Sequence, residues 1–117
     1  MQARIDSLRI LHRPLLCTEY MARGNGSTFD TVLPILKHER VAAINWGFVA
    51  GKTQTYLPWD SWERPYVSQQ PPIWFHEVFR QDDRPYRQRE IDLIRQLTGR
   101  GVSVPNVAPM STSDQKP

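Results

Sequence analysis

Two short apolar stretches decide the fold of this chain: residues 15–18 (LLCT) and residues 41–46 (VAAINW). Both lack charged residues, and Pro14 stands before the first while Gly47 follows the second. Short runs without polar alternation are typical of strands buried on both faces of a parallel sheet. The sequence therefore predicts two buried parallel strands over these residues.

The segment between these strands predicts a helix over residues 28–38. Ser27 is a good N-cap, and Asp30 follows it by three residues at the capping-box position. Pro34 lies beyond the first turn, where it predicts a kink or a shortened start. The order strand, helix, strand is the repeating unit of an α/β fold. The apolar residues with helical spacing are expected to face inward: Phe29, Val32, Leu33 and Leu36.

The flanking segments predict two further helices and a long loop. Residues 1–11 indicate the end of an amphipathic helix with apolar residues Ile5, Leu8 and Leu11, stopped at the Arg13–Pro14 bond. Residues 87–98 predict the clearest helix, with Gly99 as its C-cap and Ile91, Ile94 and Leu97 on one face. Residues 47–72 predict an irregular loop, and residues 73–79 suit either a strand or a short helix. The polar composition from about residue 103 predicts a disordered tail over residues 101–117.

Composition excludes several classes of protein. A length of 117 residues suits one small domain, and a single cysteine excludes an internal disulfide framework and any multi-cysteine zinc site. The three histidines have no metal-ligand spacing, so neither a metal nor a cofactor is predicted. The net charge of +3 comes from arginines scattered among acids, which does not suit a phosphate-binding face. No apolar run reaches the ~18 residues of a membrane span, so neither nucleic acid nor membrane is predicted as a partner.

Two residues stand where the predicted strands end. Glu19 follows the first strand and Trp46 closes the second. Because sites in parallel α/β folds form at the carboxyl ends of strands, these side chains are candidates for a catalytic carboxylate and a sugar-stacking ring. Structural alternatives remain open for both. Glu19 can instead pair with Arg23 or a loop amide, and Trp46 can fill the core.

The sequence at both strands resembles a known family. RPLLCTEYMAR (residues 13–23) and INWGFVAGKTQT (residues 44–55) resemble the seventh- and eighth-strand regions of (β/α)8 glycoside hydrolases. The resemblance is nearest to the cellulase-like group of family 5, which includes members labelled β-xylanase. PWD at residues 58–60, WFH at 74–76 and DRPY at 83–86 fit as well. The resemblance covers about residues 5–98.

The resemblance implies an incomplete barrel and specific roles. Residues 1–100 would be the C-terminal fragment of a TIM barrel, about its last two βα units, whose missing N-terminal part is an expected partner. Glu19 matches the nucleophile of a retaining enzyme acting on plant-type β-linked glycans, and Trp46 matches the sugar-stacking tryptophan. The strand-four acid/base is absent, so the chain alone is expected to be inactive. The remaining expected substrate-binding residues are Asn45, Tyr20, Trp59, Gln54 and Lys52.

Two other interpretations remain open. The chain can be a non-catalytic carbohydrate-binding module that uses Trp46, Trp59 and Trp62, or a remnant α/β interaction fragment with no sugar role. Many glycan-degrading enzymes are exported, so a secreted or periplasmic parent enzyme is compatible with the resemblance. The sequence itself predicts no compartment.

Overall fold

The computed structural model describes residues 1–100. Three α-helices and two parallel strands follow one another as α1 (Gln2–Arg9), β1 (Leu16–Cys17), α2 (Phe29–His38), β2 (Ala42–Ala43) and α3 (Gln88–Leu97). Two 3₁₀ helices, Arg23–Asn25 and Trp59–Trp62, lie in the connections. The α/β class predicted from the sequence is confirmed at this level, and the predicted tail at residues 101–117 lies outside the described part.

The two predicted strands pair in parallel, but they are shorter and more exposed than predicted. Leu16 is in register with Ala42, and Cys17 with Ala43. Leu16 remains 56% exposed and Ile44, just after β2, 52% exposed. Within residues 1–100, the prediction that both faces of the sheet are buried is therefore wrong, since no element in this range covers Leu16 and Ile44.

Helix α2 spans the predicted residues and passes through Pro34 to end at His38. Its buried face is the predicted one, with Phe29 and Leu36 each 1% exposed. The predicted cap is wrong by one residue. Thr28 is the N-cap, and its N–H donates to the hydroxyl of Thr31, which takes the capping-box position expected for Asp30. The hydroxyl of Ser27 instead donates to the carbonyl of Tyr20.

Helix α1 contributes little to the core. Only Ile5 is buried, whereas the predicted partners Leu8 and Leu11 are 47% and 58% exposed. The predicted apolar face exists in the sequence, but within residues 1–100 no element packs against most of it. Together with Leu16 and Ile44, these residues leave much apolar surface in contact with solvent.

The segment of residues 73–79 forms neither a helix nor a ladder strand. It is an irregular, mostly buried segment with several bends, and it is bonded to three parts of the chain. The N–H of Arg23 donates to the carbonyl of Phe75 at 3.1 Å, and that of Phe75 donates to Tyr56 at 2.9 Å. The N–H of Val78 donates to the carbonyl of Phe48 at 3.0 Å. This segment thus ties the loop after β1 to the long loop after β2.

Helix α3 forms where the sequence predicted it and ends as predicted. Ile91 is buried, and Ile94 packs against the core from a half-buried position. Gly99 has a left-handed φ of 72°, and the N–H of Arg100 donates to the carbonyl of Arg95 at 2.9 Å. These are the features of a Schellman C-cap, in which glycine avoids the strain of a Cβ.

Candidate functional site

A cavity of about 470 Å³ lies at the edge of the sheet where both strands end. Parallel pairing places the carboxyl ends of β1 and β2 at the same edge, so the residues after each strand meet there. The cavity is lined from four segments, by Glu19, Tyr20, Met21, Ala22, Asn25, Ser27, Trp46, Trp59 and His76. Four predicted site residues are therefore brought together: Glu19, Tyr20, Trp46 and Trp59.

Glu19 lines this cavity as an exposed carboxylate. The alternative pairing with Arg23 does not occur. The guanidinium of Arg23 is buried and bonds to Glu90 at 2.9 and 2.6 Å. Among residues 1–100, neither a salt bridge nor a side-chain hydrogen bond involves Glu19, so its carboxylate has no protein partner there.

Two tryptophans form apolar parts of the cavity wall. Trp46 is 58% exposed and Trp59 is 62% exposed. Such exposure is unusual for indoles, which are highly buried on average. The alternative that Trp46 fills the core is therefore wrong for the described residues. Trp62, in the same 3₁₀ helix as Trp59, is 93% exposed and lies outside the cavity lining.

His76 joins two walls of the cavity. Its Nε2 lies 3.1 Å from the indole Nε1 of Trp59, and its Nδ1 lies 2.5 Å from the carbonyl oxygen of Met21. His76 is 8% exposed. The sequence suggested no role for this histidine, because its partners are 17 and 55 positions away.

Tyr20, the residue after Glu19, is buried against helix α2. It is 7% exposed, and its ring meets Phe29 of α2 edge-on at 5.9 Å between centroids. Burial, with a smaller contribution from Cys17, raises the pKa of Tyr20 to about 12. The phenol therefore stays neutral over the ordinary pH range.

The other predicted substrate-binding residues lie outside the cavity lining. Lys52 and Gln54 are exposed on the loop after β2. Asn45 is turned toward the backbone, where its amide donates to the carbonyls of Gly47 and, at 3.0 Å, of His76. Asn45 therefore holds the turn after β2 against the segment that carries His76.

Glu19 is the only carboxylate that lines this cavity among residues 1–100. Glu77, adjacent to His76, is fully buried instead and accepts a hydrogen bond from the hydroxyl of Thr55. Burial raises the pKa of the Glu77 carboxyl, against smaller lowering contributions from the Thr55 bond and neighbouring charges. Glu39, Asp60 and Glu63 lie elsewhere, so the described chain supplies one carboxylate to the site.

A larger groove of about 860 Å³ lies between α2, α3 and β2. Its walls are mostly core side chains such as Phe29, Leu36 and Ile91, and its charged members are Lys37, Arg95 and Arg100. It contains neither Glu19 nor an exposed tryptophan. The groove is thus an open part of the hydrophobic core rather than a site with reactive groups.

Over residues 1–100, no three His, Cys, Asp or Glu side chains converge as a set of metal ligands. None of the helices in this same range is long and apolar enough to span a bilayer.

Comparison with known proteins adds no assignment: no protein-family model, curated protein or solved structure matches this chain.

Proposed function

We propose that this chain forms the last two βα units of a (β/α)8 barrel in a retaining β-glycoside hydrolase, with Glu19 as the nucleophile. The observation that carries the proposal is the cavity at the carboxyl ends of β1 and β2, whose lining brings together Glu19, Trp46 and Trp59. An unpaired carboxylate beside two exposed indoles suits a sugar ring. The indole faces cover its apolar C–H surface, and the carboxylate faces the anomeric carbon.

The chemistry of such a site assigns one step to Glu19. A carboxylate oxygen of Glu19 forms a bond to the anomeric carbon while the bond to the leaving oxygen breaks, which gives a covalent glycosyl-enzyme. A second carboxyl group, about 5–5.5 Å away in retaining enzymes, protonates the leaving oxygen and then activates water. A general acid contributes about 10²–10⁴-fold. Because Glu19 stands alone among the described residues, the chain by itself should hydrolyse unactivated glycosides poorly.

Exposed apolar surface supports the proposal that further barrel elements pack on this chain. Parallel sheets are normally covered on both faces, yet Leu16 in β1 and Ile44 just after β2 are more than half exposed. Leu11 and Ile10, after α1, are 58% and 75% exposed. Neighbouring strands and helices of a barrel would remove this surface from water.

A second candidate is a sugar-binding protein without hydrolytic activity. The observation that favours it is that Glu19 is the one carboxylate in the cavity lining within residues 1–100, so this range supplies no acid/base partner there. The two candidates differ in whether Glu19 forms a bond to the sugar, and one experiment separates them.

The experiment uses the full 117-residue chain and activated fluoroglycosides. The chain is incubated with 2,4-dinitrophenyl 2-deoxy-2-fluoro-β-cellobioside or the corresponding β-xylobioside, and its intact mass is measured. Dinitrophenolate leaves without a proton, so the missing acid is not needed, and the fluorine slows hydrolysis of the adduct. We expect one glycosyl group on the peptide that contains Glu19. Glu19→Gln should remain unlabelled, and the matched control Glu63→Gln should label like the wild type.

The outcomes separate the candidates. Labelling at Glu19 supports the nucleophile assignment. Absence of an adduct, together with measurable binding of cellohexaose or xylohexaose, favours the sugar-binding protein. Absence of both labelling and binding contradicts a role with β-linked glycans.

A further inference from the structure

We propose that His76 is a positioning residue that fixes Trp59 against the Glu19 segment, and that it does so only as a neutral imidazole. This inference rests on the proposed function, because it concerns the wall of the sugar-binding cavity. His76 donates to and accepts from two segments that the sequence separates widely, and both segments line the cavity.

The tautomer of His76 follows from its partners. The indole Nε1 of Trp59 can only donate a hydrogen bond, so Nε2 of His76, 3.1 Å away, must accept it. The single proton of the neutral ring is then on Nδ1, which donates to the carbonyl of Met21 at 2.5 Å. An imidazolium carries a proton on both nitrogens and accepts nothing. Protonation therefore places two donors face to face and breaks the bond to Trp59.

Trp59 depends on this bond for its orientation. It begins a 3₁₀ helix of only four residues, within a long loop that is otherwise irregular. Its ring lies 5.8 Å from Phe75 and 6.1 Å from His76 between centroids, and the residue is 62% exposed. Rings at these distances leave rotation of the indole open, whereas the Nε1 bond selects one orientation. Met21 lies two residues beyond Glu19, so the same histidine relates the indole wall to the nucleophile segment.

Several charged groups surround His76. Glu19 lines the same cavity, and Glu77 is the buried residue next to His76 in the chain. Arg23 lies beneath, with hydrogen bonds of 3.0 Å to the carbonyls of Trp74 and Glu77 on either side of the histidine. Asp60 follows Trp59 on the exposed side of the 3₁₀ helix. Three carboxylates and one guanidinium therefore lie on the segments that contact or flank the ring among residues 1–100.

The first test needs no sugar and no variant. The four indole N–H signals of the ¹⁵N-labelled full chain are followed from pH 8 to pH 5, the range in which imidazoles commonly titrate, and Trp59 is assigned with Trp59→Phe. We expect the Trp59 signal to be protected from solvent exchange at pH 8 and to shift and exchange faster as the pH falls. The fully exposed Trp62 indole is the internal control. A Trp59 signal that stays unchanged, or exchanges like that of Trp62 throughout, overturns the inference.

Two variants of His76 separate positioning from simple structural support. The amide of His76→Gln can place an acceptor near the Nε2 position, whereas the amide of His76→Asn can donate only near Nδ1. We expect protection of the Trp59 indole in the Gln variant, without dependence on pH, and loss of protection in the Asn variant. The reverse order would show that the Met21 bond, rather than the Trp59 bond, is the important contact.

Sugar binding then distinguishes this inference from the proposed function. Affinity for cellohexaose or xylohexaose should fall about fivefold in His76→Asn, as expected for one neutral hydrogen bond. His76→Gln should bind within about twofold of the wild type. The Trp59 indole signal can respond as predicted while the chain binds neither sugar. That result contradicts the proposed function and supports the positioning of Trp59 by His76. An affinity for these sugars that changes neither in the two His76 variants nor with pH contradicts the inference.

Discussion

The guanidinium of Arg23 makes two parallel hydrogen bonds to the carboxylate of Glu90, at 2.9 and 2.6 Å, across 67 positions of sequence. Both side chains are buried. Arg23 also stacks on Tyr86, with its guanidinium carbon 4.8 Å from the ring centroid. The pair joins the segment that follows Glu19 to helix α3, so the position of the candidate site depends on a contact far from the cavity.

Glu90→Ala should destabilise the chain strongly. Removing one partner of a buried ion pair leaves the other charge without compensation, which costs about 3–5 kcal/mol. Urea denaturation should show a correspondingly lower free energy of unfolding. Asp82→Asn breaks the exposed pair with Arg84 and is the matched control, with a far smaller effect expected. Equal effects of the two changes would contradict the role given to the buried pair.

Gly24→Ala should disturb the cavity by displacing the ring of Phe75, which packs beside Trp59 in the cavity wall. A Cβ at Gly24 would lie 2.0 Å from the ring of Phe75, which is buried and packs beside Trp59. Forcing the ring aside should cost about 1–3 kcal/mol and alter the near-ultraviolet circular dichroism of the aromatic cluster. Gly51→Ala meets only ordinary contact, 3.8 Å from the Val49 carbonyl, and should leave stability and spectrum unchanged. A silent Gly24→Ala would show that Phe75 has room to move.

Glu77 should make stability fall as the pH rises. Burial raises the pKa of its carboxyl in the folded chain, so the folded state holds a proton that the unfolded state has lost. Stability therefore declines from the ordinary carboxyl pKa, about 4.3, up to the raised pKa of the folded chain. Glu77→Gln keeps an acceptor for Thr55, removes the charge and should abolish this decline. Urea midpoints between pH 4 and pH 8 test it, and Glu63→Gln, an exposed position, should retain the wild-type slope.

Trp46→Ala should weaken the binding of cellohexaose or xylohexaose several-fold. Loss of an exposed indole face removes an aromatic contact worth about 1 kcal/mol, while the fold should persist because Trp46 is not part of the core. Calorimetric titration of the full chain measures the change. Trp62→Ala removes the same type of side chain outside the cavity and should bind like the wild type. A larger loss in Trp62→Ala would move the sugar site away from Glu19.

Local patterns in the sequence predicted the buried faces well for those elements against which other parts of the chain pack. Helix α2 buries Phe29, Val32 and Leu36 of its predicted face. Helix α3 buries Ile91 and partly buries Ile94, whereas the predicted Leu97 lies outside the core cluster. The prediction was wrong for the apolar face of α1 and for the burial of the strands. Leu8 and Leu16 have the right pattern, but within residues 1–100 there is no layer to cover them. The N-cap was misplaced because Ser27 and Thr28 are equally suitable chemically, and only the hydrogen bond from Ser27 to Tyr20 decided between them.

Local sequence patterns were enough to predict the order of helices and strands, the parallel pair and the placement of Glu19 and Trp46 after the strands. These features depend on residues close together in the chain, whose periodicity, caps and breakers act locally. The tertiary structure alone decided that Arg23 binds Glu90, that Glu77 is buried with Thr55, and that His76 holds Trp59. Each of these contacts joins polar groups 17 to 67 positions apart. Such groups choose partners by where burial brings them together, because a polar group removed from water must find its hydrogen bond among its new neighbours.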